Sequence, residues 1–275
     1  MPDLETILIS DMKAGKQVEL ERALLIVSGL TREEEISEYK QKLDEIMQGF
    51  EDYQQAHAVS DEPSKIQAAW LLHNYLWYTK PVRYNHNFLL TEVIDAQMDG
   101  NLDSGVGDCL GLTSLYTVLG LRLGLELSIL SSLGHILTIS DNSLGRILIE
   151  NTKSRGFDIK SEETMKKEPP ELLVADVLIS RGESNRGSGN NLEAISDYTK
   201  AIEIKPDYAA AYNNRGVSSY NLGNYAEAIS DYTKAIELKP DYAAAYNNRG
   251  VLNKNLGNYA EAISDYNNAL VLKPD

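Results

Sequence analysis

The sequence predicts an α+β domain followed by an α-helical solenoid. Three observations carry that reading. Apolar side chains recur at helical spacing through residues 1–80; after Gly124 the recurrence changes to alternation, as in strands; and in the last third Lys-Pro and Arg-Gly each return every 34 residues. The first two define a domain over 1–170, with a helical lead-in to about residue 80, a helix-plus-antiparallel-sheet core over 81–155 and a linker over 153–170. The third defines repeats over 175–208, 209–242 and 243–275.

Bulk composition narrows the function. A chain of 275 residues, 43% of them hydrophobic, can fill two ordinary cores. Its net charge of −15 works against phosphate backbones, which bind clustered Lys and Arg, so nucleic acid is not an expected partner. The single cysteine closes no internal disulfide, and Met1-Pro-Asp-Leu-Glu-Thr6 has neither the basic nor the apolar region of an export signal. Both predict a cytoplasmic protein. The most apolar stretch, Leu110 to Ile139, is interrupted by Arg122 and Glu126 and punctuated by glycine, which makes it core rather than a membrane span.

The lead-in shows two helix starts. Thr31-Arg-Glu-Glu34 has the form of a capping box, Thr31 accepting from the amide of Glu34 while Glu34 reaches back to that of Thr31. A second helix begins near Ser60-Asp-Glu-Pro63, with Pro63 in its first turn, carries Ile66, Trp70, Leu71, Tyr75 and Trp77, and ends before Pro81. A short helix follows at about Leu89 to Met98. The loop Asn101-Leu-Asp-Ser-Gly-Val-Gly-Asp108 then leads into a helix from Cys109 to about Leu123. Leu112, Leu115, Leu119 and Leu123 mark one face, and Leu110, Val118 and Leu121 make it apolar nearly all round, so it is buried on most sides. Gly124 suits the position just past its end. Three alternating segments, around Leu125–Ile129, His135–Ile139 and Ile147–Ile149, with turns at Ser131–Gly134 and Asp141–Gly145, predict an antiparallel meander beside that helix.

In the last third, Gly216, Ala228, Tyr232, Ala235 and Pro240 recur as Gly250, Ala262, Tyr266, Ala269 and Pro274, and earlier as Gly182, Ala194, Tyr198, Ala201 and Pro206. These segments resemble tetratricopeptide repeats. The resemblance implies a concave groove lined by first-helix positions, here Asn213, Tyr220, Asn247 and Lys254, with Arg186 from the divergent first repeat, and a protein or peptide as the partner. The two-carboxylate clamp of chaperone adaptors needs Lys and Asn where Ile179, Glu183 and Val217 stand here, so that subtype is not implied. The third repeat is followed by no polar capping helix, which leaves its last helix to pack on something else or to self-associate.

The candidate chemistry centres on Cys109. A helix start favours the thiolate, through its free amides and macrodipole, and Asp108 is placed as the N-cap. His135, opening the second strand, is the candidate base. With Asn142-Ser143 as a two-residue turn Glu150 lies opposite it; a three-residue loop brings Asn151 there instead, and Glu150 is preferred as the orienting third member.

Gly107 to Leu125, Gly134-His-Ile-Leu137 and Ile147-Leu-Ile-Glu-Asn-Thr152 resemble the nucleophile helix, histidine strand and acid strand of the transglutaminase-like core of the papain-like superfamily. The nearest resemblance is to its bacterial and archaeal branch with tetratricopeptide repeats after the core, whose lead-in helix Asn87 to Asp95 resembles. The resemblance implies a thiol enzyme acting on peptide or glutamine amides, by hydrolysis or transamidation, with Cys109 as nucleophile, His135 as base and Glu150, in place of the usual Asp, as orienter. The alternative is an interaction protein with a vestigial core and partner-binding repeats. No cofactor and no metal are expected, since His57, His73 and His86 lack partners at metal-ligand spacing and no loop clusters oxygen ligands for calcium.

Overall fold

The computed structural model describes residues 3–57, 64–82, 85–132, 135–142, 145–149, 157–159 and 166–273. The chain divides into two compact units, Met1–Val177 and Leu178–Asp275. The first opens with helices α1 (Leu4–Lys13), α2 (Leu20–Val27), α3 (Glu33–His57), α4 (Lys65–Thr79), α5 (Leu90–Met98) and α6 (Cys109–Arg122).

Two helix starts differ from expectation. Helix α3 begins at Glu33, and the acid that reaches back is Glu35 rather than Glu34: its Oε2 accepts from the amides of Thr31 and Arg32, both at 3.2 Å. The Arg32 guanidinium grips the same carboxylate, which fixes the cap one residue later. Helix α4 begins at Lys65 behind Ser64, whose Oγ accepts from the amide of Gln67 at 3.2 Å. Pro63 lies outside the described residues. Trp70, expected on the apolar face, is 47% exposed, while Leu71, Leu72 and Leu76 are buried.

Helix α6 is the centre of this unit, with every residue from Leu110 to Gly120 buried. A stripe of leucines cannot hold a helix on all sides, and here polar groups fix each side. Tyr116 donates to the carbonyl of Ala69 on α4 at 2.7 Å, and Arg122 makes a paired contact with Glu21 of α2, 2.7 Å at each oxygen, and reaches Asp44 of α3 at 2.6 Å. Gly111 lies against the chain before α5, where an added Cβ would fall 2.6 Å from the carbonyl oxygen of Asn87. The helix ends at Arg122, and Gly124, with φ of 69°, takes the left-handed conformation that a Cβ would oppose.

The sheet that follows is larger than the expected meander. Strands β1 (Leu127–Ser132), β2 (His135–Asn142), β3 (Gly145–Ile149), β4 (Phe157–Ile159) and β5 (Lys166–Glu168) lie in the order β4-β3-β2-β1-β5, with every pair antiparallel. The two edge strands fall in the segment expected as linker. Each is only three residues long, and Lys166-Lys167-Glu168 has no apolar alternation to betray it; charged residues on an edge discourage pairing with another chain.

The second unit is a stack of helix pairs: α7 (Leu173–Gly187), which straddles the division after a 3₁₀ turn at Pro170–Leu172, with α8 (Asn191–Ile204); α9 (Ala209–Asn221) with α10 (Tyr225–Leu238); and α11 (Ala243–Asn255) with α12 (Tyr259–Leu272). Gly189, Gly223 and Gly257 turn the chain within each pair at φ of 84°, 80° and 83°. Among the described residues no helix is long and apolar enough to cross a membrane.

Candidate functional site

Cys109 is the first residue of α6 and is partly buried. Asp108 caps the helix as expected, its Oδ1 accepting from the amide of Gly111 at 2.9 Å. Burial pushes the Asp108 carboxyl up from its ordinary range, while the amides of Gly111 and Leu110 pull it back. The loop ahead of it is pinned by Lys80, 1% exposed, whose ammonium donates to the carbonyl of Asn101 at 2.6 Å and to Ser104 Oγ at 3.0 Å. Sequence reading missed that buried cation because Lys80 reads as a helix end before Pro81.

Helix α6 packs on β2 in a defined register. Thr113 Oγ1 donates to the carbonyl of Ile136 at 3.2 Å, and Thr117 and Thr138 hydroxyls meet at 3.1 Å, so the helix and the strand run the same way. Cys109 therefore opens the helix at the end of the layer where His135 opens the strand. Thr138 faces the helix, and Leu137 and Ile139 join Leu130 and Leu148 in an apolar cluster. The β2–β3 pairing, Asn142↔Gly145 and Thr138↔Ile149, is two residues away from the register that would set Glu150 opposite His135 and one from that for Asn151. Glu150 and Asn151 themselves lie outside the described residues. No group of three or more His, Cys, Asp or Glu suited to a metal occurs among the described residues.

The second unit has a regular construction. In each pair the tyrosine of the second helix lies on the glycine of the first: a Cβ on Gly182, Gly216 or Gly250 would come within 2.7, 2.8 or 3.0 Å of the rings of Tyr198, Tyr232 and Tyr266. The arginine before each glycine reaches a buried aspartate sixteen residues on. Arg215 grips Asp231 through Nε at 2.9 Å and Nη2 at 2.7 Å, Arg249 grips Asp265 at 3.0 and 2.8 Å, and Arg181 meets Asp197 at 2.5 Å. Arg215 also donates to Thr199 and Arg249 to Thr233, each in the preceding repeat, so one guanidinium closes a pair and ties it to its neighbour. The recurrence of Asp197, Asp231 and Asp265 at the same 34-residue period was the signal for these pairs.

Those contacts recur at one spacing, as do the sequence matches. Residues 209–242 and 243–275 each match the family model described as tetratricopeptide repeat, and residues 186–223 match one described as TPR repeat. The C-terminal part of the chain consists of tetratricopeptide repeats. Similar solved structures include the first TPR of Spaghetti (RPAP3) bound to HSP90 peptide SRMEEVD, 34% identical over 37% of this chain and 80% of that one, with a TM-score of 0.36. The Arabidopsis OM64 TPR domain is 30% identical over 38% and 85%, TM-score 0.37, and the second TPR of Spaghetti (RPAP3), bound to the same peptide, is 31% identical over 36% and 92%, TM-score 0.35. No curated protein matches the chain.

The five expected tetratricopeptide groove residues differ in what they touch. Asn213 is 5% exposed; it accepts from Asn248 at 3.0 Å and donates to Asn214 at 3.3 Å, which commits it to the stack. The hydroxyl of Tyr220 accepts from Asn255 at 2.7 Å. Asn247 and Lys254 are exposed. Arg186 is partly buried, and its guanidinium lies beside the buried hydroxyl of Tyr198. Burial pushes that phenol up to about 12, and the hydrogen bond with Arg186, together with its charge, restrains the rise. At the clamp positions Ile179 is buried, Glu183 accepts from Asn214 at 2.9 Å, and Val217 packs beside Tyr232 and Leu252.

Proposed function

We propose that the chain is an interaction protein whose tetratricopeptide repeats bind an acidic segment of a partner protein. The observation that carries this reading is the row 186, 220 and 254, one position in each repeat. Arg186 and Lys254 place two cations on one row of a strongly anionic chain, where acidic side chains would find charged partners. Ile179, Glu183 and Val217 offer no cradle for a terminal carboxylate, so acidic side chains are the expected determinant. The test is a peptide array probed with the full chain. Acidic peptides should bind in both carboxylate and amidated C-terminal forms, and Arg186→Ala with Lys254→Ala should abolish the signal; retention by the double variant would contradict the reading.

Thiol chemistry at Cys109 is a second reading, favoured by the shared end of α6 and β2 at which Cys109 and His135 open their elements. In it Cys109 attacks a peptide or glutamine amide, His135 carries the proton and Glu150 orients it. Iodoacetamide alkylation with an apparent pKa well below the ordinary thiol value of about 8.5, lost in His135→Ala, would support it. Slow alkylation indifferent to His135 would remove it.

A further inference from the structure

The C-terminal half of α3 carries a group of aromatic rings that continues onto α4 and out to the surface. Tyr75, 9% exposed, anchors it: its hydroxyl sits against Gly49, at the place a Cβ would take, and its ring meets that of Phe50 edge-on at 5.8 Å. Those contacts fix the two helices and so space the rings outside them. Tyr53 packs on Tyr75 at 5.6 Å and on Tyr78 at 5.5 Å, and His57 stacks on Tyr53 at 4.0 Å and 19°. The His57 ring is held further by Nδ1, which donates to the carbonyl of Tyr53 at 2.8 Å. Tyr53 is half-buried, His57 is exposed and Tyr78 is 74% exposed, so the outer rings face water. Large rings held together at a surface mark an interaction site.

The charge of this part of α3 has one sign. Residues 43–57 hold Asp44, Glu45, Glu51 and Asp52 and no lysine or arginine. Asp44 is taken by Arg122, whereas Asp52 lies close enough to Tyr75 for its charge to join burial in holding that phenol above its ordinary range. The nearest lysines in sequence on the α4 side are engaged elsewhere, Lys65 with Glu126 and Lys80 with the carbonyl of Asn101. The site therefore disfavours phosphate and suits a cation. Elsewhere in the chain tyrosine rings carry cations: Lys42 lies over Tyr39 at 4.0 Å, Lys205 over Tyr208 at 4.5 Å and Arg215 over Tyr212 at 5.5 Å. Among the described residues no lysine or arginine lies over Tyr53 or Tyr78.

We propose that Tyr53, His57 and Tyr78, with Asp52 beside them, form a docking site for an arginine-bearing segment of a partner protein. A planar guanidinium stacks on the exposed rings, and its charge meets the ring faces and the carboxylate. This surface belongs to the first unit and takes the opposite charge from the acidic segment proposed for the repeats, so neither reading depends on the other.

Fluorescence anisotropy of the full chain with a dye-labelled peptide of alternating glycine and arginine, beside the same peptide with glutamine for arginine, tests it. The arginine peptide should bind and the glutamine peptide should not. Tyr78→Ala should weaken binding about 2- to 5-fold, the worth of one exposed cation–π contact, and Tyr78→Ala with His57→Ala should weaken it further. Tyr78→Phe keeps the ring and should bind as wild type does. Asp52→Asn should weaken binding at low salt and hardly at high salt. Because His57 and Tyr78 are exposed, the thermal midpoint should barely change in these variants. Undiminished binding by the double alanine variant would reveal only the pull of a chain of charge −15 on any cation, and would overturn the proposal. So would equal binding of the glutamine peptide, or no binding of either.

Discussion

Asn213 and Asn247 occupy the same place in helices that both begin Ala-Ala-Ala-Tyr-Asn-Asn-Arg-Gly-Val, yet one is 5% exposed and bonded to its neighbour and the other is open to solvent. Identical local sequence gives identical helices; the next repeat decides what those helices bury. Burial in such a stack is a nearest-neighbour property, and stability follows as a sum of repeats and interfaces. The second and third repeats are therefore a matched pair in which substitutions separate intrinsic from interfacial contributions.

The largest effect should come from the buried ion pairs. Asp231→Ala leaves the Arg215 guanidinium without its carboxylate and should cost about 3–5 kcal/mol in urea denaturation. Asp265→Ala breaks the same pair in the last repeat, and hydrogen exchange should then rise mainly in α11 and α12, whereas Asp231→Ala should loosen the repeats on both sides. Next comes crowding inside a pair: Gly216→Val places a Cβ 2.8 Å from the ring of Tyr232 and should cost about 1–3 kcal/mol or somewhat more. Gly250→Val, at 3.0 Å, should cost less.

The asparagines test the comparison itself. Asn213→Ala strips Asn248 of its acceptor and should cost about 1–3 kcal/mol, while Asn247→Ala should stay within about 0.5 kcal/mol. Equal costs would show that burial by the neighbour contributes little. The smallest effect belongs to the first unit, where no repeat exists to compare. Because burial raises the folded carboxyl of Asp108, its charge is penalised only above the unfolded value of 3.8. Asp108→Asn keeps a capping oxygen, so it should match the wild type below that pH and become slightly more stable as pH rises through the folded value. Thermal midpoints across pH measure this.

The two units differed in legibility for a physical reason. The 34-residue period announced the helix pairs, because a repeat states its pattern more than once, whereas the packing of each tyrosine on the glycine of its own pair came only with the structure. In the first unit the start and end of α6, the Asp108 cap and the three central strands were readable from pattern. Strands β4 and β5 were not, since a three-residue edge strand is held by its neighbour's backbone rather than by an apolar period of its own. The β2–β3 register also escaped, because alternation fixes which residues share a face and leaves a slip of two undetected. Among the candidate groove residues the family pattern gave positions but not neighbours, which is why Asn213 and Asn247 looked equivalent.

The measurement that bears most directly on function follows one acidic peptide from the array with the full chain, by fluorescence anisotropy for binding and by mass spectrometry for the peptide's integrity. Wild type and Cys109→Ala should bind it alike and leave it intact, while Arg186→Ala with Lys254→Ala should fail to bind. A peptide that is cleaved or modified by wild type and spared by Cys109→Ala would contradict an interaction protein and return the first unit to the centre of the chain's function.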